Sequence, residues 1–336
     1  MSSLAQIAVH PSQFPERVRQ SLLESLRERK VNHKFHYDSV KQTHKWLALH
    51  EAYSPARTDP DGLAIYERAF KDVASGTQSG KVHVIGLGCG GGKKDTSLLQ
   101  RLSNAGKEVS YSPVDVSSAM VLVARQKASG VVNSDRCFPL VCDLAEADDL
   151  AKCIDENAAL RDLPRAVTFF GMLPNFEPEE ILPRVVKLLA PGDKFLVSAN
   201  LAPGNNYSAG MGKILPQYDN SLTRDWLQAF LVDLGVERDA GEIRFDIESV
   251  RRCGIDLQRV TANFCFKRSV KLRVDSEEFR FESGEAIRLF FSYRHTPDLI
   301  RQLFTSAGMT IGLSWISDSG EEGVFEASRN QDQVPK

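Results

Sequence analysis

Between residues 81 and 200, short apolar runs alternate with longer stretches in which apolar positions recur every three or four residues. The short runs are bounded by glycine, proline or charge and predict strands at 82–87, 109–115, 137–142, 166–171 and 194–199. The stretches between them predict helices at about 93–105, 117–129, 147–157 and 178–189. Strands and helices in regular alternation specify a parallel sheet with helices on both faces, a Rossmann-like, doubly wound α/β architecture.

The pattern differs on either side of this block. Val18, Leu22, Leu23 and Leu26 stand at helical spacing within residues 12–35, and a second helix is predicted at 62–76. Between them, residues 35–60 are rich in Tyr, His and turn formers. Beyond Asn200 the alternation stops: 201–212 reads as loop, 222–235 as helix, and 242–283 as β-rich with period-two patterning in 259–266 and 269–274. A helix at 297–307 and a hairpin at 311–327 follow, which is how an antiparallel pair finishes a parallel sheet. The expected organisation is one domain from 62–200 plus 291–330, and a second, α+β lobe from 1–61 plus 201–290.

Composition narrows the function. With 336 residues, 42% of them apolar, the chain can bury one large or two modest cores. A net charge of -2 and a pI near 6.4 lack the basic excess of a nucleic-acid-binding surface. No apolar run approaches the roughly 20 residues of a membrane helix, and the N-terminus has no charged-then-apolar leader. Six scattered cysteines without a C-x-x-C pair read as reduced thiols of a cytoplasmic protein. His33, His36, His44 and His50 have no acid or cysteine placed to complete a ligand set, so no metal is expected. The expected partner is a small molecule, with no nucleic acid and no membrane, bound by a monomer.

The chemistry concentrates where the first strand of the block runs into Gly86-Leu-Gly-Cys-Gly-Gly-Gly92. The second strand ends about twenty residues later in Asp115. Glycines let the backbone approach a ligand, and a strand-terminal carboxylate grips ribose hydroxyls, so this is a pocket for an adenosine-bearing cofactor. Gly86, Gly88 and Gly91 satisfy G-x-G-x-x-G, which admits a dinucleotide oxidoreductase. A phosphate-cradling P-loop fails, because no Gly-Lys pair is followed by Ser or Thr. S-adenosylmethionine needs glycines such as Gly86, Gly88 and Gly90 beside its methionine part, an acid on the ribose, and a polar contact to adenine after the third strand. Asp115 suits the ribose, Asp143 with Leu144 the adenine, and Val116 and Met120 the walls of the pocket.

Further pieces occur in a fixed order: Phe35-His-Tyr-Asp, Tyr53-Ser-Pro-Ala-Arg-Thr, the glycine loop with Lys94, Pro113-Val-Asp-Val-Ser, Gly171-Met-Leu-Pro-Asn-Phe-Glu-Pro178, Tyr218-Asp-Asn220, and Gly284-Glu-Ala-Ile followed by Ser292. Together, from about Phe35 to Ala327, they resemble the histidine-specific Nα-methyltransferases of the ergothioneine-pathway type. The resemblance implies a class I methyltransferase sheet and S-adenosyl-L-methionine as methyl donor. It implies that Asn175 and Tyr218 hold the substrate's α-carboxylate, that Tyr37 lies near the amine, that Tyr53 lines the substrate wall and that Lys94 meets the methionine carboxylate. It also implies a glutamate two residues before the serine, holding imidazole; here that position is Phe290, while Ser292 remains. The expected activity is therefore N-methylation of the α-amino group of an amino acid or close analogue other than histidine. The alternatives are a non-amino-acid natural-product acceptor on the same fold, or an NAD-linked oxidoreductase.

Overall fold

The computed structural model describes residues 5–53 and 60–330. A short strand β1 (Ala8–Val9) and helices α1 (Pro15–Arg27), α2 (Val40–Tyr53) and α3 (Pro60–Gly76) precede the alternating block. The block itself runs β2 (Lys81–Leu87), α4 (Lys93–Asn104), β3 (Glu108–Asp115), α5 (Ser118–Ala128), β4 (Leu140–Val141), α6 (Leu150–Asp155), β5 (Arg165–Phe170), α7 (Pro178–Leu188) and β6 (Lys194–Asn200). Helices α8 (Tyr207–Tyr218) and α9 (Ser221–Asp233) follow, then strands β7 (Gly241–Arg252), β8 (Ile255–Phe266), β9 (Val270–Val274), β10 (Glu277–Phe281) and β11 (Ala286–Arg294). Helix α10 (Pro297–Ser306) and the hairpin β12 (Met309–Ile316) with β13 (Glu322–Arg329) complete the described chain.

Eight strands form the main sheet in the order β1-β4-β3-β2-β5-β6-β13-β12. All neighbours are parallel except β13, which lies antiparallel to both β6 and β12. Successive residues of each strand face opposite sides, and both sides are covered. Val82, Val84 and Tyr111 pack with Ile65, Phe70, Leu98 and Leu102 of α3 and α4. Ile85, Leu87, Val167 and Phe169 pack with Ile181, Val185 and Phe304 of α7 and α10. The strand order reverses between β3-β2 and β5, which opens a crevice at their carboxyl ends.

A third core joins Leu23 and Leu26 of α1, Phe35, Trp226 and Phe230 of α9, and Phe264, Phe281, Ile287 and Leu289 of the later strands. It sits on a three-stranded sheet of order β11-β8-β7 and on the β9–β10 pair. The sequence boundaries shift in two places. A division at 290/291 falls inside β11, whose pairing with β8 runs from Ala286 to Arg294. The first residues are not confined to the second lobe either, because Ala8 and Val9 add a parallel strand beside β4.

Two helices escape the hydrophobic pattern. Residues 35–53 read as irregular yet contain α2, and 201–212 read as loop yet contain the start of α8. Helix α8 carries Gly210, Gly212 and Pro216, poor formers in isolation. Its start is secured by Asn206, whose side chain accepts from the Ala209 N–H at 2.9 Å. Gly210 lies so close to the Pro203 backbone that a Cβ there would sit 2.5 Å from its carbonyl oxygen. Tertiary packing supplies what propensity does not.

Candidate functional site

Strand β2 delivers the chain into a turn in which Gly88 and Gly90 adopt positive φ, +59° and +51°. A side chain on Gly88 would strike Met172, with Cγ only 2.6 Å from its Cβ, so only glycine lets the loop and the Gly171–Asn175 turn close on each other. Asp115, at the end of β3, is nearly buried. One of its carboxylate oxygens accepts from the Gly90 N–H and the other from the Ser117 N–H, both at 2.9 Å. Each oxygen keeps a lone pair for a further donor. Burial pushes the Asp115 carboxyl up to about 6 against the lowering effect of these N–H donors. Val116, Met120, Asp143 and Leu144 line the same narrow pocket. Asp143 lies 3.2 Å from the buried Lys34 ammonium and accepts from the Ala145 N–H at 2.9 Å. A pair of ribose hydroxyls and an adenine amine match these acceptors, so the pocket's acceptor set fits an adenosyl group.

Gly86 departs from its expected role. It lies within β2, lines neither this pocket nor the larger cavity, and faces Asp95, whose carboxylate a Cβ on Gly86 would overlap. Asp95 is buried and accepts from Tyr111 and Thr168, each at 2.7 Å. The first glycine of the motif makes room for a structural carboxylate under the loop; Gly88 and Gly90 meet the pocket.

Next to the narrow pocket lies a cavity of about 950 Å³. Tyr37, Trp46, Gly88, Gly90 and Met172 line both, and mark where a donor and an acceptor would meet. The cavity brings together Tyr37, Tyr53, Lys94, Asn175, Tyr218, Phe290 and Ser292. Tyr53, the last residue of α2, is 49% exposed and belongs to the rim; residues 54–58 of its motif lie outside the described residues. The Lys94 ammonium donates to Tyr66 Oη at 2.6 Å and lies 3.9 Å from the buried Glu322 carboxylate. Asn175 does not cap the helix that follows: α7 has Glu177 at its N-cap, and Asn175 Nδ2 donates to the Phe291 carbonyl at 3.0 Å. Its second amide hydrogen and its Oδ1 are left for the cavity.

The opposite wall is set by β11. A register shift between Arg288 and Phe290 places Leu289 in the third core and turns Phe290, Ser292 and Arg294 toward the cavity. Arg294 Nε donates to Tyr218 Oη at 2.9 Å, and Tyr218 Oη donates to Ser292 Oγ at 3.0 Å. Because the guanidinium only donates, this relay leaves the Ser292 hydroxyl proton for an acceptor in the cavity. Phe290 packs edge-on against Trp226, centroids 5.8 Å apart, and beside Tyr218 at 6.3 Å. Phe290 itself offers no hydrogen-bond acceptor. Tyr37 packs among Trp46, Trp226 and His33. Burial and the nearby Asp115 charge push its hydroxyl far above its ordinary range, so it stays a neutral phenol at any working pH.

The sequence profile of the histidine-specific, S-adenosylmethionine-dependent methyltransferases matches residues 14–329. This chain belongs to that family. It is accordingly an S-adenosylmethionine-dependent methyltransferase, and the dinucleotide reading of the glycine loop falls. No curated protein sequence matches it. Solved structures with a similar fold include the mitomycin 7-O-methyltransferase, at 14% identity and a TM-score of 0.42, covering 95% of this chain and 69% of that one. The magnesium protoporphyrin IX methyltransferase of Synechocystis matches at 16% and 0.42, covering 87% and 95%. The sugar N-methyltransferase of Streptoalloteichus matches at 14% and 0.38, covering 84% and 93%.

Several residues of the methyltransferase site have no signal in sequence. Trp46 comes from a helix that read as irregular, and Trp226 from a helix with nothing to aim it at a ligand. Arg294 could have been found, since it is two residues past Ser292 on the same strand face.

Proposed function

We propose that this methyltransferase acts on the α-amino nitrogen of an amino acid or close analogue whose side chain is less polar than imidazole. The observation that carries this reading is Phe290 standing in the cavity wall, flanked by Trp226 and Tyr218. A buried imidazole N–H facing that wall would lose a hydrogen bond, at a cost of roughly 1–3 kcal/mol. Elsewhere the cavity offers neutral donors, the Asn175 amide and the Ser292–Tyr218 relay, which suit a carboxylate.

Bound S-adenosylmethionine supplies an electrophilic methyl on a sulfonium. The chain's part is to hold the amine lone pair about 3 Å from that methyl, in line with the carbon–sulfur bond. The neutral donors Asn175 and Ser292, the latter freed to donate by its relay with Tyr218, fix the acceptor, and neither adds a positive charge beside the sulfonium. Tyr37, at the junction of the two cavities and held neutral, serves as a hydrogen-bonding wall and not as the base. The ammonium proton therefore leaves to solvent before transfer.

The test is a mass-spectrometric screen for products 14 Da heavier across the amino acids and a set of small amines and phenols. Apolar and aromatic amino acids are expected to react and histidine to react least. Products from non-amino-acid acceptors alone would sink the α-amino reading, and preferential methylation of histidine would sink the role of Phe290.

A further inference from the structure

The turn that carries Asn175 is tied to the acceptor side at more than one point. Two residues on, the Glu177 carboxylate does not cap its own helix but crosses to the three-stranded sheet. One of its oxygens accepts from Arg259 Nη1 at 2.7 Å. The other accepts from Arg252 Nε at 2.8 Å and from Tyr293 Oη at 2.6 Å. Arg252, Arg259 and Tyr293 belong to β7, β8 and β11, so a single carboxylate grips every strand of that sheet. Burial acts to raise the Glu177 carboxyl, but the Arg252, Tyr293 and Arg259 contacts outweigh it and hold the group below its ordinary range.

The spacing explains what the grip is for. Asn175 holds the Phe291 carbonyl and Glu177 holds the Tyr293 hydroxyl, two residues apart on both partners. Strand alternation then sends Ser292 between them, and Phe290 and Arg294 on either side, to the other face, where they line the cavity. A one-residue slip of β11 would replace that face by Phe291 and Tyr293.

We propose that Glu177 is a positioning residue that locks β11 in register against the methyl-donor half, so that Phe290 and Ser292 face the acceptor; the acceptor part of this rests on the function proposed above. The test uses the full chain saturated with S-adenosylhomocysteine and compares wild type with Glu177→Gln, Tyr293→Phe and Glu248→Gln. The last variant removes a partner of Arg259 on its half-exposed side, Nε to Oε2 at 2.8 Å, without touching the turn.

With L-phenylalanine as the calorimetric probe, Glu177→Gln is expected to bind about tenfold more weakly and Tyr293→Phe severalfold more weakly. Affinity for S-adenosylhomocysteine and the behaviour of Glu248→Gln should stay at wild-type values. Amide exchange should quicken at 290–294 in Glu177→Gln and remain unchanged at 81–87. A lowered melting temperature with unchanged L-phenylalanine affinity, or an equal loss in Glu248→Gln, would overturn the proposal. If Glu177→Gln does not fold, Tyr293→Phe decides on the same readouts. If wild type does not bind L-phenylalanine, that failure belongs to the acceptor reading, and exchange decides on Glu177: selective quickening at 290–294 supports it, and uniform or absent change overturns it.

Discussion

The two halves of the site recognise by different means. The proposed donor side is built from main chain, a turn of glycines, together with one carboxylate, Asp115, whose two oxygens are set by the N–H groups of Gly90 and Ser117. The proposed acceptor side is built from side chains that converge from α2, α8, α9 and β11, segments far apart in sequence. A backbone cradle changes little when residues are exchanged, whereas a wall of side chains can be rewritten one residue at a time. The chain accordingly keeps the family's methyl donor, while the function proposed above turns on a single wall residue, Phe290.

This contrast can be broken by experiment. The largest effect is expected from Asp115→Ala, which removes both anchored oxygens and should weaken S-adenosylhomocysteine binding by about 100-fold, as charged hydrogen bonds contribute roughly 1.5–3 kcal/mol each. Calorimetry that shows a loss under tenfold would mean that the carboxylate is structural.

Phe290→Glu comes next. It should raise affinity for histidine about tenfold by restoring an acceptor for the imidazole N–H, with S-adenosylhomocysteine affinity unmoved. An unchanged histidine affinity would place Phe290 out of the acceptor's reach.

The pH response is smaller. With the Asp115 carboxyl at about 6, the ionised fraction falls about fourfold between pH 7 and 5.5, and cofactor affinity should fall with it. The sign for folding is opposite: a carboxyl raised in the native state takes up its proton there first, so its contribution to stability improves as pH falls through 6. A titration series in which Asp115→Asn keeps the same pH dependence would assign the effect to another group.

The smallest binding effect is expected from Gly86→Ala. Crowding Asp95 should cost about 1–3 kcal/mol of stability, read as a lowered melting temperature, while affinity for S-adenosylhomocysteine stays within about threefold. A loss as large as that of Asp115→Ala would return Gly86 to the binding site.

The same contrast governs how much the sequence discloses. Strands β2, β3, β5 and β6 are legible because burial on both faces writes them as continuous apolar runs. Asp115 is legible because a carboxylate at a strand end, after a glycine turn, has a strong physical reason to be there. Trp46 and Trp226 are not, since their convergence depends on how α2 and α9 pack against each other. The face of β11 is not, because the irregularity at Leu289 moves Phe290 out of simple alternation with Ile287. Glu177 stands in the sequence only as part of Asn175-Phe-Glu-Pro178, and its three partners lie 75 or more residues away.

Tyr37, Trp46, Gly88, Gly90 and Met172 form a party wall between the two cavities. On the function proposed above, changes there disturb both ligands at once, so a lineage seeking a new acceptor has little freedom on that side. Its accessible route runs through the far wall around Phe290, where a new preference can arise without renegotiating the methyl donor.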